Sequence, residues 1–100
     1  MLAHGLKSLC ATTTFSRGTC LRLLRGNVYK VPTPKSIEID PFIHVEDDMG
    51  RFMNHSFTPS CVIDRSCIVA IRDISVGEEL TFDYNINEKK MYKIFIQNIH

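Results

Sequence analysis

The chain has 100 residues, enough for one domain and one core, because at this size roughly two-thirds of the unfolded surface is buried on folding. Apolar residues make up 44% and charged residues 23%, which excludes a disordered tail, and the longest apolar runs, such as residues 68–71, fall far short of the roughly 20 needed to span a bilayer. The net charge of +1 conceals an asymmetry: residues 1–37 hold six Lys or Arg and no acid, while residues 38–100 hold six bases and eleven acids, so the two parts carry +6 and −5.

The acid-free start, rich in Ser, Thr and Arg, resembles an organelle transit peptide over residues 1–25, whereas residues 19–24 read as a strand that a domain would need. Its bases are scattered singly without interleaved aromatics, which argues against direct nucleic-acid binding. After turn signals at Ser16-Arg17-Gly18 and Gly26-Asn27, further strands are expected over residues 36–39, 43–46, 67–72 and 79–84. Five consecutive apolar positions, 67–71, suit a strand buried on both faces at the centre of the core. In the tail, Asn87 can cap a helix that places Met91, Ile94 and Phe95 on one face, with Ile86 and Met91 as a staple; the same residues also suit a strand. Numerous short strands without a repeat predict a mainly β domain over residues 1–100, with residues 86–100 as a C-terminal flank.

Cys10, Cys20, Cys61 and Cys67 form no CxxC pair and no Cys/His spacing for tetrahedral zinc, so no metal is expected. No hydrophobic signal core survives the polar residues 7–17, and reduced thiols of a cytoplasmic or nuclear type are the default.

Two stretches carry chemistry. Arg51-Phe52-Met53-Asn54-His55-Ser56 is an apolar pair running into three small polar groups; on its own it reads as a capped turn with a structural histidine. Gly77-Glu78-Glu79-Leu80-Thr81-Phe82-Asp83-Tyr84 reads as a turn entering an alternating strand, with Phe82 and Tyr84 on one face, as core or pocket. Together, in this order and joined by Ala70-Ile71-Arg72-Asp73-Ile74, they resemble the signature of the SET-domain family. Leu9-Cys10-Ala11 and Phe15-Ser16-Arg17-Gly18 resemble its opening strands, so the likeness spans nearly the whole chain.

The resemblance implies several small β-sheets around a knot-like crossing that brings the Asn-His segment to the tyrosine segment. It further implies an S-adenosylmethionine-dependent protein-lysine N-methyltransferase acting on a protein that presents a lysine. Residue by residue, it makes Tyr84 catalytic, Asn54 and His55 cofactor-binding with Arg51 and Ser56 shaping their turn, and Phe82, Leu24 and Phe95 neighbours of the substrate channel.

The chain also departs from the family pattern. Leu6-Lys7-Ser8 stands where a Gly-x-Gly is expected, which makes Lys7 and Ser8 candidates for the cofactor's carboxylate end. Phe57 and Ser60 replace a Cys and an Asn, and residues 86–100 contain no cysteine, so the family's post-SET zinc site is not expected. Leu24 stands where histone-directed members carry a second tyrosine. These departures leave open a SET-like binding module that has lost its cofactor, and a chain this short suggests a homodimer that completes the substrate groove.

Overall fold

A computed structural model describes residues 2–5, 8–40 and 42–84. Among the described residues, short strands build four small sheets. A hairpin of β1 (Leu2–His4) and β2 (Leu9–Ala11) opens the chain. β3 (Cys20–Leu23), β8 (Cys61–Asp64) and β9 (Cys67–Ala70) form an antiparallel sheet in the order β3-β9-β8. β4 (Gly26–Tyr29), β5 (Ile37–Asp40) and β6 (Ile43–Asp47) form another in the order β4-β6-β5. β7 (Asn54–His55) pairs in parallel with β10 (Thr81–Phe82). The mainly β class expected from the sequence is what the chain adopts.

The core gathers side chains from β2, β3, β8, β9 and β10 and from the segments between them: Leu9, Leu21, Ile63, Ile68, Ile74, Leu80 and Phe82 are all buried. Each such Leu, Ile or Phe stabilises the fold by about 1.5–3 kcal/mol relative to exposure. β9 is central in its sheet, as its apolar run predicts, but only one face is fully buried. Ile68 and Ala70 point inward, Cys67 and Val69 are half-buried, and Ile71 is exposed. The strand ends at Ala70 because its partner β8 begins there, Cys61 facing Ala70.

Four of the described strands escape the sequence reading, β1, β4, β7 and β8, and for β4 and β8 the reason is local. Gly26-Asn27 reads as a turn, yet Gly26 opens β4 opposite Asp47. A Cβ on Gly26 would sit 1.7 Å from the Glu46 carbonyl oxygen, so the glycine permits close approach of two strands and not a bend. β8 is joined to β9 through Arg65 and Ser66, with Arg65 at φ 56°, a turn without the Asn or Gly that usually signals a hairpin.

The expected strand 79–84 shrinks to two residues. Its partner β7 is only two residues long, and beyond it the Ser56 N–H takes the Phe82 carbonyl before the chain turns at Pro59. The expected tail helix or strand lies outside the described residues, as do Lys7 and Phe95.

Candidate active site

The site begins with a buried carboxylate. Asp47, at the end of β6, accepts hydrogen bonds from Arg22 Nε at 2.7 Å and Nη2 at 3.1 Å, and from the backbone N–H groups of Arg25, Met49 and Gly50 at 3.0, 3.1 and 2.6 Å. Burial alone pushes its carboxyl up, but these bonds and the Arg22 charge outweigh that and hold it below its ordinary value. Asp47 thereby fixes the 3-10 turn Gly50–Phe52, which leads directly into Asn54. Gly50 fits there because a Cβ would meet Leu24 Cδ2 at 2.6 Å. Leu24 itself is buried against this turn.

From the turn, Arg51 is exposed, its guanidinium carbon 5.2 Å from the Phe52 ring centroid, and the His4 ring of β1 stacks on Phe52 at 4.0 Å. The stack docks the N-terminal hairpin beside the turn. Ser8, immediately before β2, accepts the Gly5 N–H through its carbonyl, and its Oγ lies 3.9 Å from Cys10 Sγ. Across from it, Glu79 bridges Cys10, and Asn54 Nδ2 donates to Glu79 Oε2 at 2.6 Å.

The parallel pair aligns Asn54 with Thr81 and His55 with Phe82. Just past β10, the Tyr84 N–H donates to His55 Nδ1 at 3.1 Å, which places the imidazole proton on Nε2. The Tyr84 hydroxyl donates to the Met53 carbonyl at 3.1 Å. Its ring packs against His55 and Phe82 with centroids 5.1 and 4.7 Å away. Burial pushes the Tyr84 phenol above its ordinary value, so at neutral pH it is a hydroxyl donor and not a phenolate. Asp83 Oδ1 lies 3.9 Å from His55 Nδ1, and Phe57 meets the His55 ring edge-on at 4.6 Å.

Ser60, one of the positions where the motif departs from its pattern, is fully buried and satisfied. It exchanges two bonds with Thr81, Ser60 N–H to Thr81 Oγ1 at 3.2 Å and Thr81 N–H to Ser60 Oγ at 3.0 Å, while its hydroxyl donates to the Glu79 carbonyl. Beside Phe82 and Asp83 opens an apolar groove of about 220 Å³, with Pro59, Val62 and Ile71 among its walls.

The fold thus brings Asn54, His55, Phe82 and Tyr84 into one cluster, with Arg51 and Ser8 on its flank. Leu24 lies under the 3-10 turn. Sequence reasoning missed Ser60, Glu79 and Asp83, since Ser and acids in turns usually bond only neighbouring backbone.

The SET-domain family model matches residues 7–85. The chain belongs to the SET-domain family. A "Histone-lysine N-methyltransferase, H3 lysine-36 specific" of Aspergillus oryzae is 46% identical over 40% of this chain and 5% of its own length. A "Probable histone-lysine N-methyltransferase set-23" of Caenorhabditis briggsae is 41% identical over 49% of this chain and 23% of its length. This SET-domain chain therefore spans less than a quarter of these curated relatives. Among solved structures, a chain of a humanized mutant of the Chaetomium thermophilum Polycomb Repressive Complex 2 bound to the inhibitor GSK126 superposes with a TM-score of 0.64 at 19% identity, covering 86% of this chain and 15% of that one; the likeness is one of fold.

Proposed function

We propose that this SET domain is an S-adenosylmethionine-dependent protein-lysine N-methyltransferase. The observation that carries the reading is the junction of β7 and β10, where Tyr84 is tied through its N–H to His55 and through its hydroxyl to the Met53 carbonyl, against Phe82. The cofactor's parts fit the donor set nearby: Arg51 offers a cation for its carboxylate, Glu79 and Asn54 offer acceptors for its ammonium, and rings of His4, Phe52 and His55 offer faces or edges to apolar parts. When bound, the cofactor supplies an electrophilic methyl group.

The protein's own task is to deliver a neutral lysine amine in line with that methyl. A lysine in water has a pKa of about 10.4 and is mostly charged at neutral pH. Phe82 and the apolar groove walls withdraw it from water and so favour the neutral amine. The hydroxyl of Tyr84, protonated at neutral pH, acts as a positioner and not as a base. With Phe in place of Tyr at position 82, one hydrogen bond fewer restrains the amine, and more than one methyl can be added in turn. The names of the relatives support a histone-like protein substrate and with it a nuclear site of action.

Calorimetric titration with S-adenosylhomocysteine, followed by mass spectrometry of lysine-bearing peptides, tests the reading. Binding and stepwise gains of one methyl mass are expected. Absence of binding at millimolar ligand would overturn it and favour a SET-like binding module, in which Ser8 and its neighbours have closed the cofactor site.

A further inference from the structure

Cys20 and Cys67 stand on the neighbouring strands β3 and β9. Cys20 faces Val69, Arg22 faces Ile68 and Leu23 faces Cys67, so Leu21 is the extra residue of a bulge. Leu21, Ile68 and Ala70 fill the core, whereas the exposed Cys20 and Leu23 and the half-buried Cys67 and Val69 share the opposite face of the sheet. The Cys20 side chain leans along β3 towards Leu23, its thiol donating to the Arg22 carbonyl at 3.6 Å, and it meets the Cys67 thiol in a hydrogen bond.

We propose that Cys20 and Cys67 form an oxidation site, which a small-molecule disulfide closes into an intramolecular disulfide that clasps β3 to β9. Diagonal neighbours of an antiparallel pair lie about 7–8 Å apart at Cα, and a disulfide spans up to about 6.8 Å. The bulge interrupts the ladder beside Cys20, which allows the remaining approach of roughly 1 Å. Cys61 faces Ala70 on the buried side and Cys10 lies on β2, so neither shares this face.

The exposed Cys20 reacts first. Its thiolate attacks the oxidant's disulfide, forming a mixed disulfide and expelling one thiolate; the Cys67 thiolate then attacks the Cys20 sulfur and expels the second. The protein loses two protons and two electrons, and the oxidant leaves as two thiols. Partial burial, and then the Cys67 thiol beside it, push the Cys20 thiol above its ordinary value, so the first step quickens as pH rises above neutral. The clasp bears on the active-site turn through β3, because Arg22 and the Arg25 N–H bind Asp47 and the Leu24 N–H donates to the Ser66 carbonyl at 2.7 Å.

The full chain, incubated with oxidised glutathione at mildly alkaline pH, alkylated after denaturation and mapped by mass spectrometry, tests the proposal. A chain lighter by two hydrogens is expected, with residues 20 and 67 linked and Cys10 and Cys61 alkylated. Cys67→Ser should stop at glutathione held on Cys20. The linked wild-type chain should melt on the order of 10 °C above the reduced one, a shift that dithiothreitol reverses and Cys67→Ser lacks. Free thiols at both positions, glutathione retained on Cys20 of the wild-type chain, or a link from Cys20 to Cys10, to Cys61 or to a second chain would overturn the site. Equal melting temperatures of the linked and reduced chains would overturn the clasp.

Discussion

Replacing Asp47 by Asn keeps the shape of the side chain and removes its charge, which makes it a direct probe of the turn that carries Arg51 and Asn54. The carboxylate is fully buried and serves one guanidinium and three backbone N–H groups. An amide leaves one oxygen for these donors and points an NH2 group at the others. Breaking a buried ion pair at one partner costs about 3–5 kcal/mol, and the lower figure applies here because the Arg22 side chain is 32% exposed and regains water. A loss of about 3 kcal/mol is a large share of the roughly 5–15 kcal/mol that holds a domain together. It corresponds to a fall in melting temperature of about 12–24 °C for a chain of this size.

The internal comparison is Arg22→Ala, which removes the exposed partner and leaves the three backbone donors in place; about 1 kcal/mol is expected, close to a partly screened pair. Urea unfolding followed by circular dichroism measures both. Because pairing lowers the Asp47 pKa in the folded state, its stabilisation is fully present above the unfolded value of about 3.9 and is lost as pH falls through the lower folded value. Asp47→Asn should therefore flatten the acid limb of the stability profile. A cost under 1 kcal/mol, or equal costs for the two variants, would refute the assignment of the turn to Asp47.

Other substitutions address the strands and the chemistry. Gly26→Ala forces a methyl onto the Glu46 carbonyl and should separate β4 from β6, costing at least about 2 kcal/mol in thermal unfolding; a neutral effect would show that β4 is not held as described. Tyr84→Phe deletes the bond to Met53 and should leave S-adenosylhomocysteine affinity within about threefold while methyl transfer falls about 100-fold, as misplacement of a reacting group predicts. Phe82→Tyr adds a hydroxyl beside the amine and should lower the number of methyl groups per lysine, read by mass spectrometry of the product; an unchanged distribution would remove Phe82 from that role.

The sequence reveals the two segments that meet at the site, because Asn54, His55, Phe82 and Tyr84 stand in a recognisable order. It also marks β3, β5, β6 and β9, whose residues are apolar or β-branched at strand spacing. It conceals what depends on distant partners. The role of Gly26 is invisible until Glu46 is placed against it, and Ser60 reads as a lost Asn until Thr81 closes a reciprocal pair with it. Glu79 reads as a hairpin entry for the same reason: its partners are Cys10, Asn54 and Ser60, all remote in sequence.

The parallel pairing of β7 with β10 also governs when the site comes into being. Parallel neighbours require the chain to cross over, and here residues 56–80, with the whole β8–β9 hairpin, intervene between Asn54–His55 and Thr81–Phe82. Closing so long a loop for a two-residue ladder gains little until the hairpin and the core beneath it have formed. The Tyr84 junction is then among the last contacts made during folding and the first lost during partial unfolding. A ligand that binds there recognises only the completed chain, and a destabilising change in the hairpin reaches the site as a smaller population of molecules that possess one.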